Sequence, residues 1–212
     1  MPIAKAVKER GLTCLLLTNN PEPAAAKYVS ADNVFIFPRN REPYTYNTST
    51  YLGMVLSKTA EDPGDIMSHI MSEVEPKLLR NLGAYGSFVF VIPARFAPVV
   101  PMVRTKFDEL FGPYVQGRVF TDEEIKHAKT VVTSGDELFI SIGVENQDHG
   151  LSKNRLSIPL PRSADFVAVL AICYYLVGAI QKEHPPYFKN NIVEYTKLTS
   201  KIFGQDIQPI VE

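Results

Sequence analysis

The sequence predicts an α/β fold built on parallel sheets, and three observations lead there. First, the runs TCLLLT (13–18), NVFIF (33–37), GSFVFVI (86–92) and ELFISI (137–142) are almost continuously apolar. Strands covered by helices on both faces read this way, whereas half-solvated strands alternate. Second, segments with helical apolar spacing lie between these runs, the order expected of βαβ units. Third, the pattern restarts after Asn81 to Tyr85, so the chain divides into two loosely alike halves, 1–82 and 83–212.

The elements follow in order. Ile3 to Arg10 reads as a helix with Gly11 at its C-cap, and Thr13 to Thr18 as a buried strand closed by Asn19-Asn20-Pro21. Pro23 to Tyr28 is a short helix and Asn33 to Phe37 the second strand. Thr48 to Ala60 carries Tyr51, Leu52, Val55 and Leu56 at helical spacing, until Asp62-Pro63-Gly64 breaks it. Ile66 to Asn81 is expected to be one helix, with Met67, Ile70, Met71, Val74 and Leu78 on its buried stripe. In the second half, Gly86 to Ile92 is a central parallel strand, Val99 to Leu110 a helix and Thr121 to Thr130 a shorter one. Glu137 to Ile142 and Leu156 to Leu160 are strands, Phe166 to Gln181 is a buried helix, and Asn191 to Phe203 an amphipathic one.

With 212 residues, 45% of them apolar, the chain can bury a normal core. Its net charge of −1, with Lys and Arg scattered, lacks the basic stripe a nucleic-acid surface requires. Cys14 and Cys173 sit inside apolar runs and read as buried thiols of a reducing compartment. The opening ten residues are charged, without the apolar core of a secretory signal. Phe166 to Ile180 is short for a membrane span. A cytoplasmic protein without membrane or nucleic-acid partners is therefore expected. His69, His149 and His184 show no metal-ligand spacing, and Tyr174-Tyr175 and Met67/Met71 fit core positions.

Several segments together resemble the sugar isomerase (SIS) domain family. AKAVKERGLTCLLLTNNPEPAAAKYVSADNVFIFP (4–38) is similar to the middle of such a domain, and EPYTYNTSTYLGMVLS (42–57) to its acidic residue and Ser/Thr-rich helix opening. Phe88 to Ile92, the helix ending at Glu109, the Glu124-x-x-His127 turn and Leu138 to Ile142 follow the family's order. ICYYLVGAI (172–180), the pair Pro185-Pro186 and Asn191-Ile192 resemble its closing helix and tail. The resemblance implies two SIS-like three-layer αβα halves. The first would lack the family's opening strand and Ser-x-Ser-Gly-x-Thr phosphate loop, which precede the helix at Ile3. Pro93 to Pro98 stands where the family has glycines, and Glu194 where it has a tail lysine, with Lys189 and Lys197 nearby.

The implied function is that of a phosphosugar isomerase, similar also to the isomerising glucosamine-fructose-6-phosphate aminotransferases. It would interconvert the aldose and ketose forms of a hexose or aminohexose phosphate through an enediol, without metal or cofactor. Glu109 would remove the C1 or C2 proton and His127, 18 residues on, would open the ring. Read from the residues alone, both are also ordinary solvated side chains at helix ends. Thr45 to Thr50 offers hydroxyls, amides and backbone N–H groups at a helix N-terminus, which suits a phosphate. Candidate ligand contacts are thus Thr45, Asn47, Thr48 and Ser49, with Glu42 for sugar hydroxyls, Glu124 beside His127, and Arg95 for an anion. Arg104 could assist Arg95. The family implies a homodimer sharing its sites between subunits. The alternatives are a deaminase or deglycase acting on an aminated sugar phosphate, and a non-catalytic sugar-phosphate-binding protein.

Overall fold

Residues 2–36, 48–78 and 81–209 are described by a computed structural model, a mixed α/β structure with parallel sheets. The chain forms two units, Met1–Glu42 and Pro43–Glu212. The division lies well before the expected 82/83 boundary. The reason is packing: Leu52, Val55, Leu56, Ile66, Ile70 and Val74, all upstream of that boundary, belong to the second unit's core.

In the first unit, α1 (Pro2–Glu9) ends at Gly11 with φ +68°. Strand β1 (Leu16–Thr18) then pairs in parallel with β2 (Val34–Ile36), Leu17 opposite Phe35. The Asn20 carboxamide and Thr18 hydroxyl accept backbone N–H bonds from Glu22 and Asn20, forming the turn after β1. The Thr13–Thr18 run was expected to be buried, and it is not: Leu17 is 52% and Phe35 50% exposed, and Leu15 and Ile36 are similar. An apolar run predicts burial only where further layers cover it, and β1 has β2 alone as a sheet neighbour among the described residues. Cys14, for the same reason, is half-buried.

The second unit is organised by β3 (Ser87–Ile92), the expected central parallel strand. It lies between β4 (Gln116–Thr121) and β5 (Glu137–Ile142), and β6 (Arg155–Ile158) extends the sheet in the order β4-β3-β5-β6. Period-two alternation divides its side chains. Phe88, Phe90 and Ile92, with Leu138, Ile140 and Ile142, build the larger core with α4 (Val99–Phe111) and α5 (Phe166–Glu183). Val89, Val91 and Phe139 point the other way, where Ile125, Phe120 and Val144 cover them. One face therefore carries long helices and the other only short turns and loops.

Strand β4 was not expected, and a helix over Thr121 to Thr130 was. The helix shrinks to one 3-10 turn at Glu124–His127. Gly117 admits α4 onto β4: a Cβ there would stand 2.0 Å from the Phe107 ring. Phe107 meets Phe90 edge-on at 5.4 Å.

Helix α2 (Thr48–Thr59) matches expectation, but the long helix over Ile66 to Asn81 does not. Helix α3 (Pro63–His69), capped by the Asp62 carboxylate on the Gly64 and Asp65 N–H groups, gives way to a π-turn at Ile70–Val74. A 3-10 turn containing Pro76 follows. The expected stripe splits accordingly: Ile66, Ile70 and Val74 are buried, whereas Met67 and Met71 are more than half exposed.

Helix α5 is long and apolar enough by length and composition to cross a membrane, yet half of it is buried in the core. Its first turn is held from α3's side of the chain. The Glu61 carboxylate accepts N–H bonds from Asp165, Val167 and Ala168 at 2.9, 2.9 and 3.1 Å. Short α6 (Tyr187–Asn190) leads to α7 (Ile192–Phe203), which Gly204 ends.

Candidate functional site

The strand order places a topological switch between β3 and β5. The chain leaves β3 along the α4 face to reach β4 on one side. It leaves β5 over the opposite face, where Val144 packs and Gly150 lies against Phe139, to reach β6 on the other side. Loops that part in this way open a crevice at the carboxyl ends of the two strands, where ligands of open parallel sheets bind.

Specific bonds fix the loops at this end of the sheet. Asp122, just past β4, donates its N–H to the Ile92 carbonyl at 2.9 Å and accepts the Ala94 N–H on its carboxylate at 2.8 Å. Gly143 ends β5 with φ +69° and donates to the Ile158 carbonyl at 2.8 Å; a Cβ would stand 2.4 Å from Leu160. Arg95 projects from the turn after β3. Its guanidinium lies over the Phe96 ring at 4.6 Å, and buried Phe96 is fixed edge-on against Phe166. Arg95 is exposed, so an anion could reach it at the carboxyl edge. Arg104 is less available, because it donates to the Val119 carbonyl at 3.2 Å.

Glu124 is occupied differently from expectation. Its carboxylate accepts the Thr121 N–H at 2.8 Å while its own N–H bonds the Thr121 hydroxyl at 3.1 Å, a reciprocal cap that holds the 3-10 turn. His127 ends that turn and is exposed. Glu109 is exposed in the last turn of α4, its carboxylate 3.3 Å from the Lys106 ammonium. The expected Glu109–His127 pair does not meet within one chain. Glu109 rides on the helix covering Phe88, Phe90 and Ile92, whereas the His127 turn packs through Ile125 on Val89 and Val91. They also stand at opposite ends of β4, because α4 leads into Gln116 and the turn follows Thr121, about 20 Å along a six-residue strand. Proton transfer on one small molecule needs both groups within hydrogen-bond reach.

Glu42, Thr45 and Asn47 lie outside the described residues, and the backbone of Thr48 and Ser49 forms the first residues of α2. The histidines have structural surroundings. His69 Nε2 lies 3.0 Å from the Pro159 carbonyl, His149 Nδ1 2.7 Å from the Thr130 hydroxyl, and His184 sits edge-on between Phe88 and Phe111. Among the described residues no three His, Cys, Asp or Glu side chains cluster as metal ligands would. Burial pushes the Cys173 thiol up from its ordinary range, so it is a core side chain rather than a nucleophile.

Sequence reasoning missed a second concavity, a cavity of about 350 Å³ lined by Thr59, Glu61, Asp65, Ser163 and Asp165. The signal was present in Glu61-Asp62-Pro63-Gly64-Asp65, which read only as a helix break. Of the expected site residues whose side chains are described, Arg95, Glu109, Glu124 and His127, none lines it. No protein-family model matches the chain, and no curated protein matches it.

Proposed function

We propose that this chain is a phosphosugar isomerase of the sugar isomerase type, acting on a hexose or aminohexose phosphate, with an acid/base pair completed between two copies. The observation that carries this version is the placement of Glu109 and His127 on opposite faces of one sheet. If the two residues work together at all, they must come from different chains. The symmetric dimer implied by the family resemblance would supply them. Arg95, exposed at the carboxyl edge, binds the phosphate; Glu42, Thr45, Asn47, Thr48 and Ser49 are further ligand candidates on sequence grounds alone. Arg95 and His127 both lie past the carboxyl ends of their strands in one copy, whereas Glu109 lies about 20 Å away at the far end of α4. The partner copy's Glu109 therefore takes the C1 or C2 proton, an enediol forms, and His127 moves the proton of the ring oxygen. In this reading the chain comprises two SIS-like αβα halves.

The test is subunit complementation. Proton NMR follows deuterium entering fructose 6-phosphate at C1 or C2 in deuterated water. Glu109→Gln and His127→Asn should each abolish exchange. Denatured together and refolded as a mixture, they should recover about a quarter of the wild-type rate, since half the dimers are mixed and each holds one intact site. Arg95→Ala should raise the KM for the phosphorylated substrate at least about tenfold, the loss of one charge-assisted contact.

The same separation favours a second reading, a sugar-phosphate-binding protein without catalysis. Binding of fructose 6-phosphate without exchange in the wild type would establish it. Exchange that persists in both single variants would remove the pair from any mechanism.

A further inference from the structure

Helix α7 is mounted with its polar side inward. Its buried residues are Thr196 and Thr199, whose hydroxyls are satisfied by carbonyls one turn back, at Val193 and at Tyr195 and Thr196. Leu198 and Ile202, one turn apart, face outward instead, at 56% and 64% exposure. Tyr195, one turn before Leu198, is also exposed and joins this stripe. Beyond it the patch continues through ring contacts, Tyr195 to Phe188 at 5.4 Å, Phe188 to Tyr187 at 5.3 Å and Tyr187 to Tyr114 at 4.2 Å. A soluble helix ordinarily buries its aliphatic side, and a contiguous apolar patch of this kind marks a surface that meets a partner.

The charges beside the stripe say which partner. Glu194 and Lys201 are seven residues apart, two helical turns, and so stand on the same flank of the stripe at opposite ends of α7. Both are exposed, and neither forms an ion pair among the described residues. Two α7 helices packed antiparallel and crossing near Leu198 bring Glu194 of each copy opposite Lys201 of the other. A parallel pair would set like charges at the same level. The flank is therefore complementary to itself under a two-fold axis, which a foreign partner would not require.

We propose that α7 is a self-association surface, pairing antiparallel with α7 of a second copy around Leu198 and Ile202. Tyr114, Tyr187, Tyr195, Leu198 and Ile202 are each about half exposed. At on the order of 100 Å² apiece, two copies bury roughly 1,000 Å², the size of a weak, transient interface. The pairing is accordingly reversible and concentration-dependent. None of its residues belongs to the proposed isomerase site, so Leu198→Glu probes this contact alone, whereas refolded mixtures of Glu109→Gln and His127→Asn probe that site.

Sedimentation equilibrium of the whole chain between about 1 and 100 μM spans the range expected of a contact this size. The wild type should shift from monomer to dimer across it. Leu198→Glu, with an unchanged far-UV circular dichroism spectrum, should remain monomeric throughout. Glu194→Lys or Lys201→Glu alone should weaken association roughly five- to thirtyfold, two ion pairs being replaced by repulsions. The double variant Glu194→Lys/Lys201→Glu should restore it, since the reversed flank is again self-complementary. A monomer at every concentration overturns the proposal, and if that monomer also cosediments with vesicles of anionic phospholipid, the stripe is a membrane surface. A dimer that survives Leu198→Glu, or single reversals that the double variant fails to rescue, overturns it too.

Discussion

Removing one carboxylate tests how the second unit is held together. Glu61 accepts N–H bonds from Asp165, Val167 and Ala168 at 2.9, 2.9 and 3.1 Å, whereas the Asp165 side chain caps only Phe166. The first turn of α5, the most deeply buried helix, thus depends on a residue about a hundred positions earlier. Glu61→Ala deletes three charge-assisted bonds and the negative charge at a helix N-terminus. Glu61 is half-buried and lines an open cavity, so water replaces part of what is lost. Counting each bond at the lower, solvent-compensated value gives about 2–3 kcal/mol. For a unit of this size that lowers Tm by about 4–10 °C. Glu61→Gln, which keeps an acceptor oxygen but not the charge, should fall between. Urea unfolding followed by circular dichroism reads the change as a shift in midpoint at constant slope. A Glu61→Ala variant within about 0.5 kcal/mol of wild type would show that the staple is decorative and that packing alone seats α5.

Two further outcomes follow from the core. Gly117→Ala forces a methyl group to 2.0 Å from the Phe107 ring and should cost at least about 3 kcal/mol. Phe107→Leu in the same chain should recover part of that loss, a non-additivity that a double-mutant cycle detects and that strict additivity would refute. Burial raises the Cys173 thiol above its ordinary value of 9.0, so above about pH 9 the unfolded chain loses this proton while the folded chain keeps it. Stability should therefore decline as pH rises from there, and Cys173→Ala should flatten the decline; identical slopes in the two proteins would refute it.

What the sequence discloses depends on how far each inference reaches. Strands β3 and β5 were legible because SFVFVI and ELFISI are apolar on both faces and are in fact covered on both. Strand β4 escaped because QGRVFT mixes Gly117 and Arg118 into its run, and its pairing with β3 is a long-range event. The helical propensity of Glu123 to Ala128 was real but weak. The reciprocal Thr121–Glu124 cap starts the turn and Lys129, at φ +59°, stops it. The Thr13–Thr18 run shows the limit from the other side, since apolarity reports the need for cover and not its presence. Arg95 stands in the turn after β3, exposed, as its place between a strand and a helix suggested. At the candidate site, the duties of Glu124 and Asp122 were not legible, because a capping carboxylate and a binding carboxylate look alike until their partners are known.

The fate of the Glu109–His127 pair follows from that one missed strand. A sequence interval of 18 residues suggests neighbours across a turn. Had Gln116–Thr121 been recognised as a strand, the chain between the two residues would have had to cross the sheet. Helix α4 enters β4 from one face and the Glu124–His127 turn leaves it onto the other, as alternation along β3 requires once the sheet continues to β5 on the opposite side. Topology therefore forbids the pair within one chain, whatever the side-chain rotamers. It leaves open a pair made between two chains, the arrangement on which the proposed function rests. If the proposed function holds, exchange should scale with the dimer fraction, and exchange that persists at concentrations where the chain is monomeric would refute an inter-chain pair.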